Sequence, residues 1–164
     1  MASFYKESNL LNEPSLSLEE FVEKISELPL AFQPGEAWRY SVSIDVLARV
    51  LEILEEKKLE AILRELIFDP LGMNETAFSI NTGQEARLMP MHGTNNFNDL
   101  ISLNQKDLEV IDIEKTHPSQ GQNVHERGGG GLFSTVRDYQ LFCNFLLNRK
   151  DKEGTPLILS LIHI

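Results

Sequence analysis

Phe32-Gln33-Pro34-Gly35-Glu36-Ala37-Trp38-Arg39-Tyr40-Ser41-Val42 runs directly into Ser43-Ile44-Asp45-Val46-Leu47-Ala48-Arg49-Val50-Leu51-Glu52-Ile53-Leu54, and Pro70-Leu71-Gly72-Met73 closes the passage. Pro34-Gly35 is a turn signal, because proline pre-sets φ at the second turn position and glycine accepts the positive φ that a type II turn needs at the third. The segment from about Ile44 to Lys57 then reads as a helix of unusual character. Ile44, Val46, Leu47, Ala48, Val50, Leu51, Ile53 and Leu54 cover nearly its whole circumference, while Asp45, Arg49, Glu52 and Glu56 fall on one narrow stripe. A helix this apolar is expected inside a larger body. Asp45 and Arg49 stand four apart, the spacing of a surface ion pair.

Working outward, Ser17-Leu18-Glu19-Glu20 has the pattern of a capping box. The Ser17 hydroxyl can receive the amide three residues on while Glu20 reaches back. Phe21, Val22, Ile25 and Leu28 follow at helical spacing until Pro29. A third helix is expected over about Leu59 to Ile67, stopping before Pro70. A fourth is expected from Thr135, with Asp138 as its box partner and Val136, Tyr139, Phe142, Phe145 and Leu146 on one face. Between Asn81 and Arg127 the periodicity weakens. Leu108, Val110, Ile111 and Ile113 suggest one short strand there, within a stretch long enough to suggest a functional or family-specific insertion. No internal repeat is visible.

Composition narrows the chemistry. The 164 residues carry 15 Lys+Arg against 25 Asp+Glu, a formal net charge of −10, which repels nucleic acid and anionic membrane. The apolar share of 41% suits a folded chain. Cys143 is the single cysteine, so no intramolecular disulfide and no cysteine zinc site can form; within Leu141-Phe142-Cys143-Asn144-Phe145 it reads as a small buried hydrophobe. No run approaches the ~20 apolar residues of a membrane span. Met1-Ala2-Ser3-Phe4-Tyr5-Lys6 lacks the basic-then-apolar layout of a secretion signal. His92, His117 and His125 share no metal-ligand spacing, so no metal is expected.

Tyr40-Ser41-Val42 after Pro34-Gly35, Pro70-Leu71-Gly72-Met73 with Thr76, and Gly128-Gly129-Gly130-Gly131-Leu132-Phe133-Ser134-Thr135 together resemble the serine β-lactamase/penicillin-binding-protein superfamily. The likeness is strongest to family VIII carboxylesterases and class C β-lactamases. It implies an α+β fold of the β-lactamase/transpeptidase type, of which this chain covers mainly the helical central part. By this likeness residues 1–16 are a partial N-terminal segment and residues 17–158 the central part of the hydrolase domain, incomplete at both ends. Leu159-Ser160-Leu161-Ile162-His163-Ile164 is set apart as a non-native tail.

The resemblance makes Tyr40 the tyrosine that helps deprotonate a nucleophilic serine. On the residue alone, a tyrosine packed at a helix entrance is the plainer reading. Val42 stands where β-lactamases carry asparagine, which favours the esterase branch. Val42, Gly129, Gly130 and Gly131 are implied as walls of the substrate cleft. Phenols ionise near pH ~10, so moving a proton at neutral pH needs nearby cations. The family supplies lysines, one of them in a serine-x-x-lysine nucleophile motif. Ser3-Phe4-Tyr5-Lys6 is the one such string here, and it fails: Pro14 and its neighbours forbid the long buried helix the nucleophile opens, and it lies too near Tyr40. Lys115-Thr116-His117 lacks the glycine of a lysine-threonine-glycine element and precedes the glycine run. That run is no phosphate cradle, since Leu132-Phe133 follow where lysine and Ser/Thr are required.

The implied protein is thus a serine hydrolase that cleaves carboxylic esters through an acyl-enzyme, without its nucleophile motif in this chain. No cofactor is implied, and the partner is a small ester or amide. A β-lactamase or D-alanyl peptidase fragment, and a non-catalytic binding remnant of the same fold, stay open beside it. So do the compartment, cytoplasmic or periplasmic/secreted, and the oligomeric state.

Overall fold

The structure, a computed structural model, describes residue 10 and residues 15–81, 83–93, 109–111 and 126–157. The Ser3 to Lys6 string, Lys115-Thr116-His117, His125, the strand-forming Leu108 and Ile113, and the 159–164 tail lie outside the described residues.

Helix α1 (Leu18–Ser26) begins with the reciprocal cap that its sequence encodes. Glu20 N–H donates to Ser17 Oγ at 3.2 Å and Ser17 N–H to Glu20 Oε2 at 2.9 Å. Leu18, Phe21 and Ile25 form its buried face. Helix α2 (Ser43–Glu55) ends in a left-handed residue, Glu56 at φ 53°, two residues sooner than hydropathy suggests.

Helix α3 (Leu59–Leu63) widens into a π-helical turn, Arg64–Phe68, and tightens again in α4 (Asp69–Leu71). Helical winding therefore continues through Pro70, where the sequence predicts a stop. The wider turn takes up an extra residue, and a proline in the first turn of the renewed α-helix needs no donor of its own. Gly72, at φ 75°, ends the winding, and Met73 N–H returns to Phe68 O at 2.8 Å. Lys152 covers the same helix end, its Nζ donating to Asp69 O at 2.9 Å.

A two-stranded antiparallel ladder pairs β1 (Met91–Gly93) with β2 (Glu109–Ile111), His92 opposite Val110. Val110 and Ile111 lie in strand as expected. β1 carries no β-branched residue and left no trace in the periodicity.

Helix α5 (Val136–Asn148) starts from Thr135, whose hydroxyl accepts Asp138 N–H at 3.2 Å. Its inward face is Asp138, Leu141, Phe142 and Phe145; Val136 is 89% and Tyr139 63% exposed, so the predicted face is turned by about one position. Cys143 points away from that face and is exposed, against the buried role expected of it.

Leu10, Leu16, Phe21 and Ile25 form one core cluster, Leu18, Ala48, Leu59 and Phe78 a second, and Phe68, Leu71, Met73 and Phe145 a third. Val22 packs on the first two and Leu63 on the last two, so the clusters make one continuous interior.

Candidate active site

Gln33 to Glu36 form the predicted turn: Gly35 adopts φ 88° and Glu36 N–H donates to Gln33 O at 3.1 Å. The chain then reaches Tyr40, which is 88% exposed at the entrance of α2. Its hydroxyl bonds to none of the described residues. Ser41 and Ser43 share a hydrogen bond of 2.6 Å between their hydroxyls, and Val42 O starts the helix by accepting from Asp45 N–H at 3.0 Å. Val42, expected on the cleft wall, packs its side chain on the cluster of Leu10, Leu16, Phe21 and Ile25.

Helix α2 is inverted relative to expectation. Asp45, Ala48 and Glu52 are its buried residues, whereas Ile44 is 55%, Leu47 53% and Leu54 72% exposed. The polar stripe faces inward because each buried carboxylate there meets a donor. Asp45 Oδ1 accepts Gly129 N–H at 3.2 Å and does not pair with Arg49. Glu52 accepts Leu59 N–H at 3.0 Å and Arg49 Nη1 at 3.1 Å, while Arg49 also reaches Glu19. Buried charges persist where such bonds replace water.

The glycine-rich segment lies against this helix. A Cβ on Gly128 would sit 2.4 Å from Ile44 O and 2.9 Å from Ala48 Cβ, so only glycine allows the approach. The Arg127 guanidinium lies 3.5 Å over the Phe21 ring. Burial pulls its pKa down to about 10, against the opposing effect of the Asp45 charge. Gly131, at φ 94°, turns the chain so that Phe133 and Ala77 exchange two backbone hydrogen bonds, of 3.1 and 2.8 Å.

Residues 131–135 form one wall of a cleft of about 410 Å³; Glu75, Ile80, Arg87, Leu88 and Met89 stand opposite. Of the residues expected at the site only Gly131 lines it; Tyr40, Val42, Gly129 and Gly130 do not. Arg87 holds Glu75 through two bonds, one of 3.3 Å from Nη2 to Oε2, and keeps that carboxyl below its usual range. Asp138 anchors the cleft from beneath. It accepts Glu75 N–H at 2.8 Å and Thr76 Oγ1–H at 2.9 Å, and Thr76 Oγ1 lies 2.8 Å from Ser134 Oγ. The reciprocal cap expected of Asp138 is thus only half made, its carboxylate being engaged across the fold. Asp45, Glu52 and Asp138 went unnoticed as anchors in the sequence. No local signal marks them, since the partners that make them anchors lie far along the chain or on a neighbouring element.

Among the described residues no group of His, Cys, Asp or Glu is set to hold a metal ion, and no helix is long and apolar enough to cross a membrane.

Comparison with known proteins places these features. The family model described as Beta-lactamase matches residues 2–161. Protein Rv1367c of Mycobacterium tuberculosis is 29% identical over 137 residues, which is 82% of this chain and 31% of that protein. Lovastatin esterase of Penicillium rubens is 30% identical over 129 residues, covering 77% of this chain and 30% of the esterase. The chain therefore spans about a third of the length of these relatives. Among solved structures, EstCE1, a hydrolase with promiscuous acyltransferase activity, superimposes with a TM-score of 0.62 at 20% identity, over 89% of this chain and 39% of EstCE1. At that identity the likeness is one of fold.

Proposed function

We propose, from the premise that this chain belongs to the Beta-lactamase family, that it is the central part of a serine hydrolase that cleaves carboxylic esters through an acyl-enzyme. The observation that carries the reading is the 30% identity to lovastatin esterase over 129 residues, 77% of this chain. In this proposal residues 17–158 belong to the catalytic domain, residues 1–16 to the segment leading into it, and residues 159–164 to a non-native tail. The nucleophilic serine and its lysine come from sequence outside these 164 residues.

The chemistry assigned to this chain is proton transfer at Tyr40 Oη. The serine attacks the ester carbonyl carbon as its proton passes to Tyr40 Oη. The tetrahedral intermediate collapses with cleavage of the ester C–O bond as Oη returns that proton to the departing alcohol oxygen, and water then cleaves the acyl-enzyme to release the acid and regenerate the serine. Tyr40 suits this work by its place. A rigid proline-glycine turn precedes it, a helix follows it, and its hydroxyl is open to incoming groups. Gly131 and the cleft beside it give a backbone wall for the substrate.

The test is to express the complete coding sequence and assay 4-nitrophenyl butyrate against a chromogenic cephalosporin. Ester turnover is expected to dominate, and Tyr40→Phe is expected to lower kcat by ~100-fold or more with little change in KM, as loss of a general acid–base does. An unchanged kcat in Tyr40→Phe overturns the role of Tyr40, and preference for the cephalosporin overturns the ester reading. The 164-residue chain alone is expected to be inactive; ester turnover by it that Tyr40→Phe abolishes overturns the external nucleophile.

A further inference from the structure

The geometry points to Asp45 as a positioning residue for this site: through Gly129 it fixes the glycine-rich segment on the first turn of α2, and so sets the cleft wall at residues 131–135 relative to Tyr40. This inference rests on the esterase reading and adds to it a residue outside the reacting groups.

Residues 127–133 are held at three points. Arg127 lies over Phe21 of α1, Gly128 and Gly129 meet α2, and Phe133 is bonded to Ala77 beyond α4. The middle point lies on the helix whose entrance carries Tyr40. There the contact has two parts. Gly128 rests on the Ile44 carbonyl with no room for a Cβ, and Gly129 N–H donates to Asp45 Oδ1 at 3.2 Å. Asp45 is only 7% exposed on a helix whose apolar residues are mostly exposed, a placement that hydropathy alone disfavours. The bond to Gly129 and the charge of Arg127 account for it. Gly131 at φ 94° then passes the fixed segment directly into the wall of the cleft.

In the complete protein, Asp45→Ala is expected to lower kcat/KM for 4-nitrophenyl butyrate at least ~10-fold, mostly through KM, because a misplacement of about 1 Å is costly on this scale. Asp45→Asn keeps an oxygen that can accept Gly129 N–H and is expected to restore kcat/KM to within a few-fold of the parent. Rates are compared below each variant's melting temperature. If folded Asp45→Ala keeps the parent kcat/KM while Tyr40→Phe loses activity, Asp45 has no positioning role and the esterase reading survives. If Tyr40→Phe is itself without effect, that reading fails first. An independent readout in the 164-residue chain is amide exchange at Gly129. It is expected to speed up in Asp45→Ala and not in Asp45→Asn; equal exchange in all three overturns the inference even where Asp45→Ala of the complete protein does not fold.

Discussion

At the scale of single residues, short acidic and hydroxyl side chains hold this molecule together by reaching far along the chain. Asp138, 3% exposed, takes the Glu75 amide and the Thr76 hydroxyl. Asp138→Ala removes the acceptor of the part-buried Glu75 amide and leaves the buried Thr76 hydroxyl with Ser134 alone, and is expected to cost about 1–3 kcal/mol in urea denaturation. Ser17 does a local job by comparison. Ser17→Ala removes the cap of α1, with an expected loss of ~1 kcal/mol by the same measurement. The Ser17 role is legible from four consecutive letters. That of Asp138 is not, because its partners lie 62 and 63 residues away and a helix-capping pattern cannot distinguish a carboxylate that turns back from one that reaches across.

At the scale of elements, α3 shows how the fold substitutes tertiary for local caps. Lys58 offers no side-chain bond to the helix start, so Glu52 takes Leu59 N–H and Glu126 takes Glu60 N–H at 2.7 Å. Carboxylates suit a helix N-terminus, where amide donors and the helix dipole favour negative charge. Glu52→Ala is expected to destabilise the chain by roughly 1–3 kcal/mol, read from the urea midpoint.

Glu126 adds a pH dependence. Burial raises its pKa above the usual glutamate range, against the bond from Glu60 N–H and with the repulsion of Glu60 and Glu52. The folded chain therefore binds that proton more tightly than the unfolded one. This contribution to stability is complete below the unfolded pKa and is lost as pH rises through the folded one. In urea titrations at pH 4 and pH 7, Glu126→Gln is expected to gain on the parent as pH rises. A constant difference between the two would show that Glu126 titrates alike in both states.

At the scale of the whole molecule, the apolar flank of α2 is the dominant surface feature. Ile44, Leu47, Leu51 and Leu54 form one helical stripe, each at least 38% exposed. The folded chain is expected to bind an anilinonaphthalene dye at this patch. Leu47→Glu combined with Leu54→Glu is expected to abolish most of the fluorescence gain, and undiminished fluorescence in that variant would place the dye elsewhere. The sequence by itself determined the proline-glycine turn, the capped start of α1, the existence of α2, α3 and α5, and the family likeness around Tyr40, because each depends on residues close together in the chain. Tertiary structure decided which side of α2 faces inward, how the helix passes Pro70, and which carboxylates become anchors. Periodicity reports that a helix has a stripe, but the stripe turns inward where Gly129 and Leu59 bring amide donors to its carboxylates, and that convergence is set by the fold.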